Sequence, residues 1–248
     1  MSSDSVSPGN WFRIIKLNDL HVPFENPDAV QCAIDFCGKM QPSIVVIDEW
    51  MDFYELSNFV KDPRQATGYT LHDARETTKK YQKRLRRAVP DARIIEVRAN
   101  HGKRLDNFLK KNAPAICGLP EFQMEAFMGY DKLGISCVDY YVHNGVFMFK
   151  HGDRVHKYSG YTAKNEFEAE GMSGASGHSH RLGQHYRTLR GGEYTWIECG
   201  CLCRMDMDYL EGRIADWQIG IGLVQFKDNS NHFAATTLPI IDGEILWS

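Results

Sequence analysis

The sequence predicts an α/β protein with a mainly parallel sheet and a second, mostly antiparallel sheet packed on it. Over the first half of the chain, short apolar segments alternate with helical patterns, the β-α-β-α-β order typical of a parallel sheet covered on both faces. After Ile135, β segments follow one another with few helices between them. Residues 11–248 contain no Pro/Gly/Ser-rich linker, repeat or low-complexity tract, so we expect one domain, preceded by a disordered arm at residues 1–10.

The parallel half begins with a strand pattern at Trp11–Leu17 and a helix at Pro27–Met40. Asn26 is a suitable N-cap for that helix, and proline is favoured at the first helical position. The β-branched run at residues 44–47 suits a buried parallel strand. The other predicted elements are a charged helix at 71–89 that ends before Pro90, a strand at 93–98 and a helix at 103–111.

The second half contains a predicted hairpin, in which residues 137–142 and 146–150 flank the turn His143-Asn144-Gly145. Further β segments are predicted at 195–203, 220–226, 232–238 and 244–247. Residues 124–139 and 158–172 are candidate lids.

The composition is that of an ordinary globular protein, with 43% hydrophobic and 25% charged residues. No apolar run approaches the ~20 residues of a membrane span, and the first ten residues lack the apolar core of a signal peptide. The net charge of −3 gives no global attraction to nucleic acid. We therefore expect a cytoplasmic protein with no membrane partner.

Seven cysteines are scattered along the chain, and Cys199, Cys201 and Cys203 alternate in a strand-like segment. Alternation places three thiols on one face of a strand. A metal site there would require a matched fourth ligand, so small buried thiols are the favoured interpretation over a metal site.

Five polar clusters stand where apolar runs end, and in parallel sheets such strand ends form sites. Aspartate, asparagine and imidazole together suit a pair of divalent metals. The clusters are Asp19-x-His21, Asp48-Glu49-x-x-Asp52, Asn100-His101, His151-Gly152-Asp153 and Gly177-His178-Ser179-His180.

The order of these clusters resembles the calcineurin-like metallophosphoesterases, over residues 18–180, and is similar to phage-encoded, nuclease-like members of that family. The resemblance implies a four-layer α/β/β/α sandwich of two packed mixed sheets with a dimetal site at strand carboxyl ends. It also implies a metal-dependent phosphoesterase that uses water activated between two metals.

The resemblance assigns roles to individual residues. Asp48 would bridge the two metals, and His101 would act on the leaving group rather than bind metal. Independently of the resemblance, Arg104 lies one helical turn after His101 and could contact a phosphate oxygen, although a solvated helix residue explains it equally well. The other implied metal ligands are Asp19, His21 and His180 for the first metal, and Asn100, His151 and His178 for the second.

The second cluster departs from the family pattern G-D-x-x-D. Ile47 replaces the glycine, and the two aspartates are four residues apart, whereas Glu49 is three before Asp52. Glu49 therefore competes with Asp48 for the bridge, and Asp52 would support the loop or a histidine ligand. Ala99 and Gly102 are further departures.

The ligand types fit Mn²⁺, Fe, Zn²⁺ or Ni²⁺ better than Ca²⁺, and two Mn²⁺ ions are expected. We expect a phosphodiesterase or nuclease acting on nucleic acid. The basic run at residues 79–87 could lie along the nucleic-acid backbone, although a solvated helix face is the favoured interpretation of the run by itself. The alternatives are a small-molecule phosphatase or cyclic-nucleotide phosphodiesterase and a binding protein without turnover. A phage-encoded protein would work in the host cytoplasm; the oligomeric state is left open.

Overall fold

The computed structural model describes residues 11–58, 69–207, 210, 212–228, 230–245 and 247. The expected disordered arm at residues 1–10 lies outside them. Among the described helices, none is long and apolar enough to cross a membrane.

The first sheet has seven strands among the described residues, in the order β12-β11-β10-β1-β2-β3-β4. Strands β1 to β4 run parallel to one another, whereas β10, β11 and β12 add antiparallel strands beside β1. The strands are β1 (Trp11–Leu17), β2 (Ile44–Asp48), β3 (Arg93–Val97), β4 (Ile135–Val138), β10 (Gly220–Lys227), β11 (Phe233–Ile241) and β12 (Glu244–Ile245).

The second sheet has the order β5-β6-β7-β9-β8. Its central strands β6, β7 and β9 are parallel, and its outer strands β5 and β8 are antiparallel to their neighbours. The prediction of a mostly antiparallel second sheet is therefore wrong, and both sheets are mixed. The strands are β5 (Tyr141–His143), β6 (Phe147–Phe149), β7 (Ser173–Ser176), β8 (Leu182–Leu189) and β9 (Gly192–Cys199).

The helices follow their local signals. Asn26 caps the first helix by accepting the Ala29 N–H at 3.1 Å, as predicted, and Thr70 and Asp73 form a reciprocal capping box on the second. The described helices are α1 (Pro27–Met40), α2 (Leu71–Ala88), α3 (Lys103–Asn112), α4 (Met124–Met128) and α5 (Tyr161–Glu170). Short 3₁₀ helices lie at Tyr54–Leu56, Pro120–Phe122 and Tyr130–Leu133.

Three apolar clusters define the layers. Successive side chains of β1 point to opposite faces of the first sheet: Ile15 packs with α1 and α2, and Ile14 packs with the second sheet. On the outer face of the second sheet, Ala163 and Phe167 of α5 cover Trp196. The molecule is thus the four-layer α/β/β/α sandwich that the resemblance implied.

Several predicted boundaries are corrected. The segment 137–142 is divided, because β4 completes the first sheet and only β5 pairs with β6 in the hairpin. Segments 220–226 and 232–238 return to the first sheet beside β1. Neither candidate lid is a free flap: residues 158–172 contain α5, and residues 124–139 contain the buried Met128 and Tyr130.

Candidate metal centre

The seven predicted ligands are brought together at the carboxyl edge of the parallel strands. One group consists of Asp19, His21 and His180, whose ligand atoms lie within 4.8 Å of one another. The Nε2 atoms of His21 and His180 are 3.1 Å apart. They lie 3.6 and 3.5 Å from the same atom, Asp19 Oδ1. Two imidazole nitrogens and a carboxylate oxygen therefore converge, as the ligands of one ion do.

Asp19 gives a direct test of whether this group fits a metal. The residue is fully buried, and its Oδ2 accepts the His178 N–H at 2.9 Å. Its Oδ1 has no hydrogen-bond partner among the described residues. Burial opposes ionisation, but His180 and His21 hold the pKa of Asp19 well below its ordinary value. A buried, ionised oxygen without a donor is costly unless a cation binds it, so this group fits a metal ion.

A second group surrounds the Nε2 atom of His151. Asn100 Oδ1 lies 2.8 Å from this nitrogen, and His178 Nδ1 lies 3.1 Å from it. Glu49 Oε2 lies 3.3 Å away and has no hydrogen-bond partner among the described residues. These four atoms are a donor set of imidazole, amide and carboxylate, which suits a second divalent ion of the same type.

The two candidate bridging carboxylates differ in position. Asp48 is the last residue of β2 and pairs with Val97, so it does not follow the strand as expected. Glu49 is the first residue beyond it, with a φ of 49°. Burial raises the pKa of Glu49 to about 7, although His151 and His21 oppose this shift. Whereas Glu49 faces the second group directly, Asp48 Oδ2 forms an ion pair with Lys16 and lies 3.4 Å from His151 Nδ1.

Asp52 contacts both His21 and His101 at one side of the centre. Its Oδ2 lies 3.1 Å from His21 Nδ1 and 3.0 Å from His101 Nδ1. Arg104 donates to the backbone oxygen of Asp52 at 2.8 Å and to its Oδ1 at 2.5 Å. Asp52 thus orients one candidate ligand and the candidate leaving-group residue, and Arg104 orients Asp52. The phosphate contact of Arg104 stays a prediction.

His101 lies beside the candidate ligands, in the loop between β3 and α3. Its backbone N–H donates to Glu49 Oε1 at 3.1 Å. Burial lowers the pKa of His101 to about 4, and Asp52 only partly opposes that shift. The ring is therefore neutral at pH 7, and the Asp52 carboxylate orients it through Nδ1.

The centre is built on unusual backbone conformations. Positive φ is uncommon outside glycine because Cβ crowds the following carbonyl. Five candidate residues nonetheless have φ between 49° and 65°, namely Asp19, His21, Glu49, His178 and His180. His178 and His180 therefore do not lie on an extended segment, and the left-handed turns direct the two rings to different groups.

Two features were missed from sequence. Lys16 is a cation within a mostly apolar strand, and only the sheet register shows that it meets Asp48. Cys203 Sγ lies 3.7 Å from His180 Nδ1, and Cys201 belongs to the same group within 4.8 Å. The cysteines are free and buried, but Cys201 and Cys203 lie beyond β9, so the predicted three-thiol strand face is wrong.

Arg86, near the end of the basic run at residues 79–87, lies away from the centre. Arg86 donates to five backbone oxygens, those of Leu133, Val89, Pro90, Ala92 and Gly134. Gly134 immediately precedes β4, so these contacts lie at the amino edge of the parallel strands. The candidate centre is at the carboxyl edge, a strand length of about 16 Å away. Arg86 is a structural residue and cannot also bind a nucleic-acid backbone.

Comparison with known proteins gives distant relatives. No family model matches the chain. The chain is 29% identical over 243 residues to the Gene 54 protein of Mycobacterium phage D29, covering 93% of this chain and 94% of that protein. It is 28% identical to the Gene 54 protein of Mycobacterium phage L5, with the same coverage.

Solved structures with a similar arrangement include Vps29 of Chaetomium thermophilum, with 14% identity and a TM-score of 0.38. That comparison covers 92% of this chain and 93% of Vps29. A protein serine/threonine phosphatase from Saccharomyces cerevisiae, described as similar to human phosphatase PP5, gives 9% identity and a TM-score of 0.39. That comparison covers 93% of this chain and 80% of the phosphatase chain.

Proposed function

We propose that this protein is a dimetal-dependent phosphodiesterase that acts on nucleic acid. The observation that carries the proposal is the convergence of two ligand groups at one strand edge, with a buried carboxylate oxygen of Asp19 left without a donor. The first group would hold one ion through Asp19, His21 and His180. The second would hold another through Asn100, His151 and His178, together with a carboxylate from Asp48 or Glu49.

When bound, a pair of Mn²⁺ ions, or of Fe, Zn²⁺ or Ni²⁺, makes water nucleophilic near neutral pH and neutralises charge on the phosphoester. The chain's own contribution is to orient the ligands. Asp52 fixes the His21 ring through Nδ1, so that Nε2 faces Asp19 and His180. Such outer contacts raise metal affinity because they prevent the ligand from rotating.

His101 is positioned to assist the leaving group. Its Nδ1 faces Asp52, so its Nε2 is the nitrogen that can exchange a proton with an alkoxide. A bound phosphoester adds negative charge beside the ring and raises its pKa from the low value of the free protein. His101 would then become protonated when the substrate binds and donate that proton to the leaving group.

Local charge favours diesters over monoesters. Near the centre, Arg104 is paired with Asp52, and Arg98 is paired with Glu125 and Asp139. A monoester carries nearly two negative charges at pH 7 and would need free cations that these arginines do not supply. A diester carries one charge, and polynucleotides are among the abundant phosphodiesters of a cell.

The exposed part of the basic run supports a nucleic-acid substrate. Lys83, Arg84 and Arg87 are exposed on α2, about one strand length from the centre. A polynucleotide could span this distance, whereas a nucleotide could not. Similarity to phage proteins is consistent with action in a host cytoplasm.

The experiment is a parallel assay with Mn²⁺ on bis-p-nitrophenyl phosphate, p-nitrophenyl phosphate, and labelled single- and double-stranded DNA and RNA. We expect turnover of the diester and at least one polynucleotide, and loss of both with His21→Ala. Faster turnover of p-nitrophenyl phosphate or free nucleotides would favour the small-molecule alternative. Binding of nucleic acid without turnover would favour a non-catalytic binding protein.

The basic run is tested with the triple variant Lys83→Ala/Arg84→Ala/Arg87→Ala. We expect weaker, less salt-dependent binding of DNA or RNA and unchanged hydrolysis of bis-p-nitrophenyl phosphate. The matched control replaces three exposed basic residues elsewhere, Lys39, Arg190 and Lys227, with alanine. Equal loss of binding in both triple variants would indicate only a general charge effect.

A further inference from the structure

Lys16 is a fully buried lysine inside the layer between the two sheets. Lys16 is two residues from Ile14 and therefore lies on the same face of β1, which packs in that layer. Gly222 of the neighbouring strand is close to it, since a Cβ added there would be 3.3 Å from Lys16 Cβ. The register partner of Lys16 in β2 is Val46, two residues before Asp48. The parallel pairing thus brings the ammonium to the Asp48 carboxylate, and both side chains have 0% exposure.

The burial makes this ion pair obligatory. An unpaired ammonium in a protein interior costs several kcal/mol, so Lys16 needs an anion at this position. The pair engages Asp48 Oδ2, and Oδ1 accepts the Asp19 N–H at 3.3 Å. Both oxygens of Asp48 therefore have contacts within the protein, and a metal ion at Oδ2 would be repelled by the ammonium.

Glu49 has the opposite character. Its Oε2 is buried without a hydrogen-bond partner among the described residues and lies 3.3 Å from His151 Nε2. A ligand oxygen of Glu49 also lies within 4.8 Å of ring nitrogens of His21 and His101. The carboxylate thus extends from His21 in the first group to His151 in the second.

We propose that Glu49 is the carboxylate shared by the two metal ions, and that Lys16 withholds Asp48 from them. This inference rests on the proposed function, because it assigns ligands within that centre. Lys16 and Asp48 are positioning residues: they join the ends of β1 and β2, from which Asp19 and Glu49 extend.

The position of His151 decides against a shared role for Asp48. Asp48, Asp19 and His151 also form a group within 4.8 Å, but Asp48 approaches Nδ1 of the imidazole at 3.4 Å. Asn100, His178 and Glu49 all gather at Nε2. Nδ1 has no hydrogen-bond partner among the described residues and faces the Asp48 carboxylate, whereas Nε2 lies among the atoms of the second group. Asp48 is therefore on the side of the ring away from that group.

The test is Mn²⁺ binding, measured by calorimetry and elemental analysis, with the electron paramagnetic resonance spectrum as an independent sign of coupled ions. Asp48→Asn alone would leave the Lys16 ammonium unpaired, so the double variant Lys16→Met/Asp48→Asn carries the test. It removes both charges with little change in volume. Glu49→Gln is the comparison, and circular dichroism checks that each variant is folded.

We expect wild-type protein and the double variant both to bind two Mn²⁺ with a coupled spectrum, the double variant up to ~10–100-fold more weakly because His151 loses the carboxylate beside its Nδ1. Glu49→Gln should bind only one Mn²⁺ and lose the coupled spectrum. Lys16→Met alone should bind Mn²⁺ more tightly than wild type, because it frees a buried carboxylate beside the centre.

Loss of one equivalent in the double variant, or two coupled ions at wild-type affinity in Glu49→Gln, would overturn the assignment while the proposed function stands. If wild-type protein binds no metal at all, the proposed function fails and this inference fails with it.

Discussion

Glu96 is a buried carboxyl group whose protonation should make the stability of this protein depend on pH. It lies in β3 next to Tyr130, on the helix-covered side of the first sheet, and a Glu96→Gln substitution keeps its shape while removing its ionisation. Burial, with a smaller contribution from Asp48 and Glu49, raises the pKa of Glu96 from 4.5 to about 8.

The sign follows from which state holds the proton. Between pH 4.5 and 8 the unfolded chain has released the proton that the folded protein keeps, so the free energy of unfolding falls as pH rises. At about 1.4 kcal/mol per pH unit, the loss relative to acid pH is under ~1 kcal/mol at pH 5, ~3 kcal/mol at pH 7 and approaches ~5 kcal/mol above pH 8. Glutamine cannot ionise and should escape this loss.

The assay is urea unfolding of wild type and Glu96→Gln with EDTA at pH 5, 6, 7 and 8. Taking the difference between the two proteins cancels the titration of groups they share. We expect the variant to gain stability over wild type steadily from pH 5 to 8, while Glu193→Gln, at an exposed position, shows no such trend. A difference that does not change with pH would refute the reasoning.

Three further predictions concern the centre and the fold. His101→Ala should keep its metal content, measured by elemental analysis, but lose ~10²–10⁴-fold in rate on polynucleotides and much less on bis-p-nitrophenyl phosphate, whose leaving group needs little protonation. Asp52→Asn should weaken Mn²⁺ binding ~10–100-fold in calorimetry because His21 loses its orienting carboxylate; unchanged affinity would contradict this. Phe167→Ala should lower the free energy of unfolding by ~3–5 kcal/mol in urea, whereas Phe108→Ala, at an exposed position, should change it little.

The elements predicted well from sequence are those with strong local signals. Trp11–Leu17 and Pro27–Met40 are confirmed to the residue, because strand alternation and the Asn26 cap are encoded within a few positions. The helix α5 was missed since it buries few apolar side chains, chiefly Ala163 and Phe167. Nothing local reveals that β10 returns to pair with β1, because strand pairing depends on the whole fold.

The candidate centre shows the same division. The order of the clusters predicted which side chains meet. Of the two roles left open for Asp52, support of the loop or of a histidine ligand, the structure shows contact with His21. The choice between Asp48 and Glu49 depended on where β2 ends, and sequence places strand ends only to within a few residues. Lys16 was read as part of an apolar strand because its partner lies on the neighbouring strand.

The left-handed backbone conformations of the centre limit how this chain can evolve. They occur at Asp19, His21, Glu49, His178 and His180. Each such residue costs about 1–3 kcal/mol relative to a relaxed backbone, and glycine would relieve the strain without disturbing the turn. Selection for heat resistance alone would therefore favour glycine at the very positions that we propose to supply ligands. Variants recovered from such a selection should melt higher and bind no metal, so the centre can persist in a lineage only while the reaction itself is under selection.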